Sequence, residues 1–202
     1  MQNELIEPEK FNQINLLKPL YILYHGTDIN YIKKLMKKKI IVLIGMPGTG
    51  KSTIANFLNN KYGWNWIETD KLISDKYNMR LIDIVKNFGE EFKSIEEDTI
   101  LGIKNVPTKT IISTGGSVVY SNVIMNYLSN IGVILHLDSS LEDLYLRIDN
   151  YLERGIIMEP GQTLMDIFTI RKKLYHKYRE LSINNSVLNM NETADIINNL
   201  IP

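Results

Sequence analysis

The sequence predicts an α/β fold with a parallel central sheet, and three observations predict it. From residue 40 onward, short and wholly apolar runs alternate with segments of helical periodicity, the pattern of strands buried on both faces and joined by crossover helices. The first apolar run passes directly into a glycine-rich loop and then an amphipathic segment. Five such runs are enough for one sheet, and 202 residues suit one compact domain with an appendage.

Ile40 to Ile44 reads as a fully buried strand. Residues 51 to 62 place Ile54, Ala55, Leu58 and Tyr62 on one helical face, and Gly63 ends that helix. Trp64 to Ile67, Thr110 to Ser113, Val133 to Leu137 and Ser186 to Leu188 read as the second to fifth strands, with helices between them. Leu141, Leu144, Tyr145 and Ile148 form another apolar helical face. Asp149 to Gln162 holds glycines, a proline and charges, keeps no single period, and reads as a mobile loop or lid.

Residues 1–39 read as an N-terminal extension and 40–202 as the domain. The boundary is marked by Lys33, Lys34, Lys37, Lys38 and Lys39, a charge run that reads as a solvated face. Tyr24-His25-Gly26-Thr27 reads as a turn within the extension. Lys plus Arg (23) balance Asp plus Glu (23), so no basic surplus points to nucleic acid or to a membrane surface. With no cysteine there is neither a disulfide framework nor a thiolate metal site. The amino terminus lacks the pattern of a signal peptide, and no apolar run is long enough to span a bilayer. A cytoplasmic monomer acting on a small molecule is the expectation.

Gly45-Met46-Pro47-Gly48-Thr49-Gly50-Lys51-Ser52 satisfies G-x-x-x-x-G-K-[ST], the Walker A or P-loop pattern, between a buried strand and an amphipathic helix. Glycines let the backbone curl so that successive N–H groups face phosphate oxygens, and the next helix adds its positive end. ATP is the expected ligand, contacted by Gly45, Gly48, Thr49, Gly50, Lys51, Ser52 and Thr53. Lys51 reaches the β and γ phosphates, and the Ser52 hydroxyl serves Mg²⁺.

Glu68-Thr69-Asp70 follows the second strand, at the carboxyl edge where open α/β sheets bind ligands. One carboxylate can serve the metal's water shell while the other takes a proton from a phosphoryl acceptor. Equally, Asp70 can cap the helix that starts at Lys71. Ser113-Thr114-Gly115-Gly116-Ser117 ends the third strand with paired glycines, which suit either a close backbone approach to a ligand or an ordinary tight turn. His136 within an apolar strand and the pair Trp64 and Trp66 read as core residues.

In order and spacing, the chain from about Ile40 to Ile201 resembles shikimate kinase, a member of the nucleoside-monophosphate-kinase-like P-loop proteins. The resemblance rests on the P-loop, on Glu68-Thr69-Asp70 for the family's Asp-x-Asp, on Gly89-Glu90-Glu91-Phe92 for Gly-Glu-x-x-Phe, and on Thr114-Gly115-Gly116 for Thr-Gly-Gly. It implies a three-layer P-loop fold with a mobile lid, and transfer of the ATP γ-phosphoryl group to the 3-hydroxyl of shikimate in aromatic amino acid biosynthesis. It also implies an adenine contact at Arg147, a lid arginine at Arg154, and a substrate side made by Asp70, Lys93, Gly115, Gly116 and Arg171. Lys51, Asp70 and Arg154 would be catalytic, with Ser52 and Glu68 serving Mg²⁺. A kinase of another hydroxy acid such as gluconate, or an ATP-binding module with a protein partner, are the alternatives.

Three departures stand out. Lys93 replaces the arginine that grips the substrate carboxylate, and an ammonium lacks the flat bidentate geometry of a guanidinium. Glu68 replaces an aspartate, lengthening the reach toward the metal's waters by one methylene. Ser117 replaces a third glycine, while Gly155 and Lys173 each replace a proline.

Overall fold

The computed structural model describes residues 37–147, 156, 158 and 161–200. Arg154, most of the expected lid and the Tyr24 to Thr27 turn lie outside the described residues. Five parallel strands form one sheet: β1 (Ile40–Ile44), β2 (Asn65–Glu68), β3 (Thr110–Ser113), β4 (Val133–Asp138) and β5 (Leu181–Asn184), in the order β2-β3-β1-β4-β5. The chain runs from β1 to β2 on one side of β1 and crosses from β3 to β4 on the other, a switch that opens a crevice at the sheet's carboxyl edge.

The helices are α1 (Lys51–Tyr62), α2 (Thr69–Tyr77), α3 (Leu81–Phe88), α4 (Phe92–Leu101), α5 (Asn122–Ile131), α6 (Leu141–Arg147), α7 (Leu164–Tyr178) and α8 (Met190–Leu200). Alternation along the strands divides the core into two layers. Val42, Ile44, Ile112 and Ile134 pack toward α5 and α7, whereas Ile41, Leu43, Ile111 and Leu135 pack toward α1 and α8. A separate cluster of Ile73, Ile84, Phe92 and Ile95 joins α2, α3 and α4 into a small lobe beside the crevice.

The last strand is a correction to the sequence reading. Residues 185–187 form a turn, and the strand is Leu181–Asn184, whose Leu181 pairs with Leu135 and Ile183 with Leu137. The apolar cue, Leu181 and Ile183 around Ser182, follows the end of α7 at Tyr178 so closely that no glycine or proline separates helix from strand. The second strand starts one residue later than predicted, because Trp64 leaves the sheet to be fully buried, with its indole N–H donating to Asn198 Oδ1 at 3.0 Å. Lys38 also departs from the solvated-face reading. Its Nζ donates to the carbonyls of Ser129 (2.7 Å) and Gly132 (3.2 Å) and pairs with Glu180 at 3.0 Å, tying the approach to β1 against β4 and β5.

Candidate active site

A cavity of about 710 Å³ opens at the carboxyl edge of the sheet, within the size range of small-molecule sites. Its floor is the loop from β1 to α1. Gly45 has φ +149°, and a Cβ there would lie 2.5 Å from the Leu137 carbonyl oxygen, so only glycine fits. The Thr49 hydroxyl donates to Met46 O at 2.9 Å, tightening the turn. From behind, Asn185 Nδ2 donates to Thr49 O at 2.7 Å, and Thr193 Oγ1 donates to Asn185 Oδ1 at 2.8 Å. The first turn of α1 carries no acidic residue, leaving its positive end available to an anion.

Lys51 Nζ donates to Gly45 O at 2.8 Å and Met46 O at 2.9 Å. Burial pulls its pKa down to about 8; the charge of Asp70 opposes this and that of Arg171 reinforces it. Ser52 Oγ donates to Glu68 Oε1 and lies 3.4 Å from Ser113 Oγ. These donors are all oxygen, the chemistry a hard cation such as Mg²⁺ selects.

Asp70 lies inside the first turn of α2, whose N-cap residue is Glu68 and which has no side-chain cap hydrogen bond. The capping alternative is therefore not what positions it. Asp70 lines the cavity. Burial raises its pKa, Lys51 counteracts the rise, and Glu68 adds to it. The backbone N–H of Gly115 donates to Thr69 Oγ1 at 3.1 Å, joining the third-strand loop to α2. The glycine pair permits close approach: a Cβ on Gly115 would meet Asp70 Oδ1 at 2.6 Å, and one on Gly116 would meet Arg171 Nη1 at 2.9 Å.

Arg171 reaches the cavity from α7, which starts with a capping box between Thr163 and Asp166. It is 1% exposed, and its Nε donates to Tyr120 Oη at 3.2 Å. Next to it Tyr175 Oη donates to Gly116 O at 2.8 Å. Arg147, the last residue of α6, lines the cavity and donates from Nη2 to Asn185 O at 3.1 Å.

The structure thus brings together Gly48, Gly50, Lys51, Ser52, Thr53, Asp70, Gly115, Gly116, Arg147 and Arg171 around one cavity. Glu68 stands just behind, through Ser52. Lys93 is exposed and is not among the lining residues. Sequence reasoning missed Glu96, Ser117 as a hydroxyl donor, Tyr120 and Asn185. Glu96 had a signal: it shares the buried face of α4 with Phe92 and Ile95. Asn185 had none once the last strand was placed too late. His136 is buried as expected, stacked on Tyr175 at 5.0 Å between ring centres.

Comparison with known proteins adds an independent line. A sequence model of the family described as "Shikimate kinase" matches residues 47–201. The shikimate kinase of a Sulfurihydrogenibium species is 33% identical over 138 residues, covering 68% of this chain and 82% of that protein. That of Staphylococcus aureus is 30% identical over 165 residues, covering 81% and 94%. Among solved structures, shikimate kinase from Acinetobacter baumannii in complex with shikimate superposes with a TM-score of 0.70 at 22% identity, covering 84% of this chain and 96% of that one. The structural likeness shows the shared fold.

Proposed function

This chain belongs to the shikimate kinase family, and from that premise we propose that it transfers the γ-phosphoryl group of ATP to the 3-hydroxyl of shikimate. The observation that carries the reading is the convergence of a P-loop lysine, a half-buried carboxylate and a buried arginine on one cavity. A hydroxy acid needs these groups: an anion grip, a proton acceptor and a phosphate cradle.

In this reading ATP lies along Gly45 to Thr53, with the adenine toward Arg147. Lys51 exchanges its two loop carbonyls for the β and γ phosphates. Shikimate enters beside Gly115 and Gly116, its carboxylate toward Arg171 and its hydroxyls toward Asp70. Asp70 accepts the hydroxyl proton as the oxygen attacks the γ-phosphorus in line, and the bond to the β-phosphate oxygen breaks to release ADP. The pKa rise that burial imposes on Asp70 favours this proton transfer. Ser52 and Glu68 would hold Mg²⁺, which neutralises phosphate charge when bound. Lys93 and Arg154 are assigned to the substrate side and the lid on family register.

The test is an ADP-release assay with Mg-ATP against shikimate, gluconate and no acceptor, with Asp70→Asn and Lys51→Ala alongside. Shikimate-dependent turnover, reduced at least about a hundredfold in both variants, supports the reading. ADP release that no acceptor stimulates sinks it.

A further inference from the structure

Among the described residues lining the cavity, Arg171 is the guanidinium on the side of the Gly115-Gly116 loop. Three described cations line the cavity, and two of them are engaged at its nucleotide side: Lys51 on the loop carbonyls and Arg147 on Asn185 O. Lys93 is exposed outside it. The third, Arg171, stands against the Gly116 backbone, and how its planar fork is aimed decides whether an acceptor carboxylate is met by two parallel N–H groups or by one.

We propose that Tyr120 is a positioning residue that orients Arg171 for the acceptor's carboxylate; this rests on the acceptor reading above. The Tyr120 ring lies 5.2 Å from Arg171 Cζ, and its hydroxyl oxygen accepts from Nε at 3.2 Å. Ring and hydroxyl constrain the guanidinium at its Nε side, Tyr175 adds a side-chain hydrogen bond to it, and Nη1 is turned to the Gly116 backbone, where a Cβ would lie at 2.9 Å. Tyr120 is itself held. It ends a short 3-10 turn, Val118–Tyr120, whose Val118 and Val119 are 0% and 1% exposed and pack in the core beneath the sheet face. Tyr120 as a whole is 44% exposed, so a buried anchor presents a partly exposed tyrosine to a buried arginine. That arrangement suits orientation of a binding group better than it suits stability.

The test uses the full chain and Tyr120→Phe, which keeps the ring and removes the acceptor oxygen. KM for shikimate is expected to rise about five- to tenfold, with kcat and KM for ATP within about twofold. Selectivity for shikimate over its methyl ester, which has no carboxylate charge, is expected to fall by a similar factor. In an Arg171→Lys background, which has no Nε–H to orient, Tyr120→Phe is expected to add little further loss. An unchanged KM for shikimate overturns the proposal, as does an equal loss for acid and ester, because a merely structural role would affect both alike. Absence of shikimate-dependent turnover in the wild type would remove the acceptor reading, and this inference with it.

Discussion

Ser117 Oγ donates a 2.7 Å hydrogen bond to Glu96 Oε1, and the carboxylate that receives it is 4% exposed beside Asp70 and Gly115. A serine where a third glycine was expected therefore joins the acceptor loop to α4. Burial lifts the Glu96 pKa to about 7; the bond from Ser117 and the charge of Arg171 oppose the rise, and Asp70 adds to it.

Since Glu96 binds its proton more tightly in the folded chain, its contribution to stability is present below about pH 4.5 and is lost as pH rises through about 7. The shift corresponds to about 3 kcal/mol. Glu96→Gln keeps an acceptor for Ser117 and removes the titration. It is expected to be more stable than wild type at pH 8 by about 1–3 kcal/mol, with the gap closing toward pH 5, as read from urea unfolding at both values. A gap independent of pH would rule out Glu96 as the titrating group.

Ser117→Ala removes the donor that favours ionised Glu96. The Glu96 titration, followed by carboxyl carbon NMR, should move further upward by about half to one unit. A downward move would mean that the hydroxyl does not donate to the carboxylate.

Gly45→Ala sets a methyl group against the Leu137 carbonyl oxygen at a φ that other residues rarely adopt. Expected is a loss of about 2–4 kcal/mol in stability together with loss of ATP binding, checked by denaturation and by nucleotide titration. Stability within about 0.5 kcal/mol of wild type would mean that the loop relaxes around the methyl group.

Asn185 holds the P-loop from behind through Thr49 O and is itself held by Thr193. Asn185→Ala should raise KM for ATP about three- to tenfold and cost about 1–3 kcal/mol of stability, leaving KM for shikimate within about twofold. A change in the shikimate constant instead would place the residue's influence on the acceptor side.

Lys93 and Arg171 are separated by exposure, and a pair of alanine variants turns that into a measurement. Arg171→Ala should weaken shikimate binding by a factor of about fifty or more. Lys93→Ala should change it about twofold to fivefold, the scale of an exposed charge. Comparable losses would show that Lys93 reaches the substrate in the working enzyme.

Much of the fold was legible because its signals are local. Ile40–Ile44 is wholly apolar, Gly45 to Ser52 is a contiguous motif, and the face of α1 repeats at helical spacing, so neighbouring residues alone specify strand, loop and helix. β5 escaped because its cue is a two-residue alternation that becomes apolar-in only once β4 lies beside it. Asp70 was read as ligand group or helix cap with equal weight, and sequence could not separate them, since both uses place an aspartate just after a strand.

The sequence alone determined the Walker A loop, the parallel α/β layout and the place of Glu68 and Asp70 at the end of a strand, because each rests on spacing along the chain. Tertiary structure decided the partnerships: Tyr120 with Arg171 across 51 residues, Ser117 with Glu96 across 21, and Asn185 with Thr49 across 136. A hydrogen bond needs its atoms within about 3 Å and in line. Only packing of the two core layers and the small lobe brings these residues that close, and burial there sets the proton affinities of Lys51, Asp70 and Glu96.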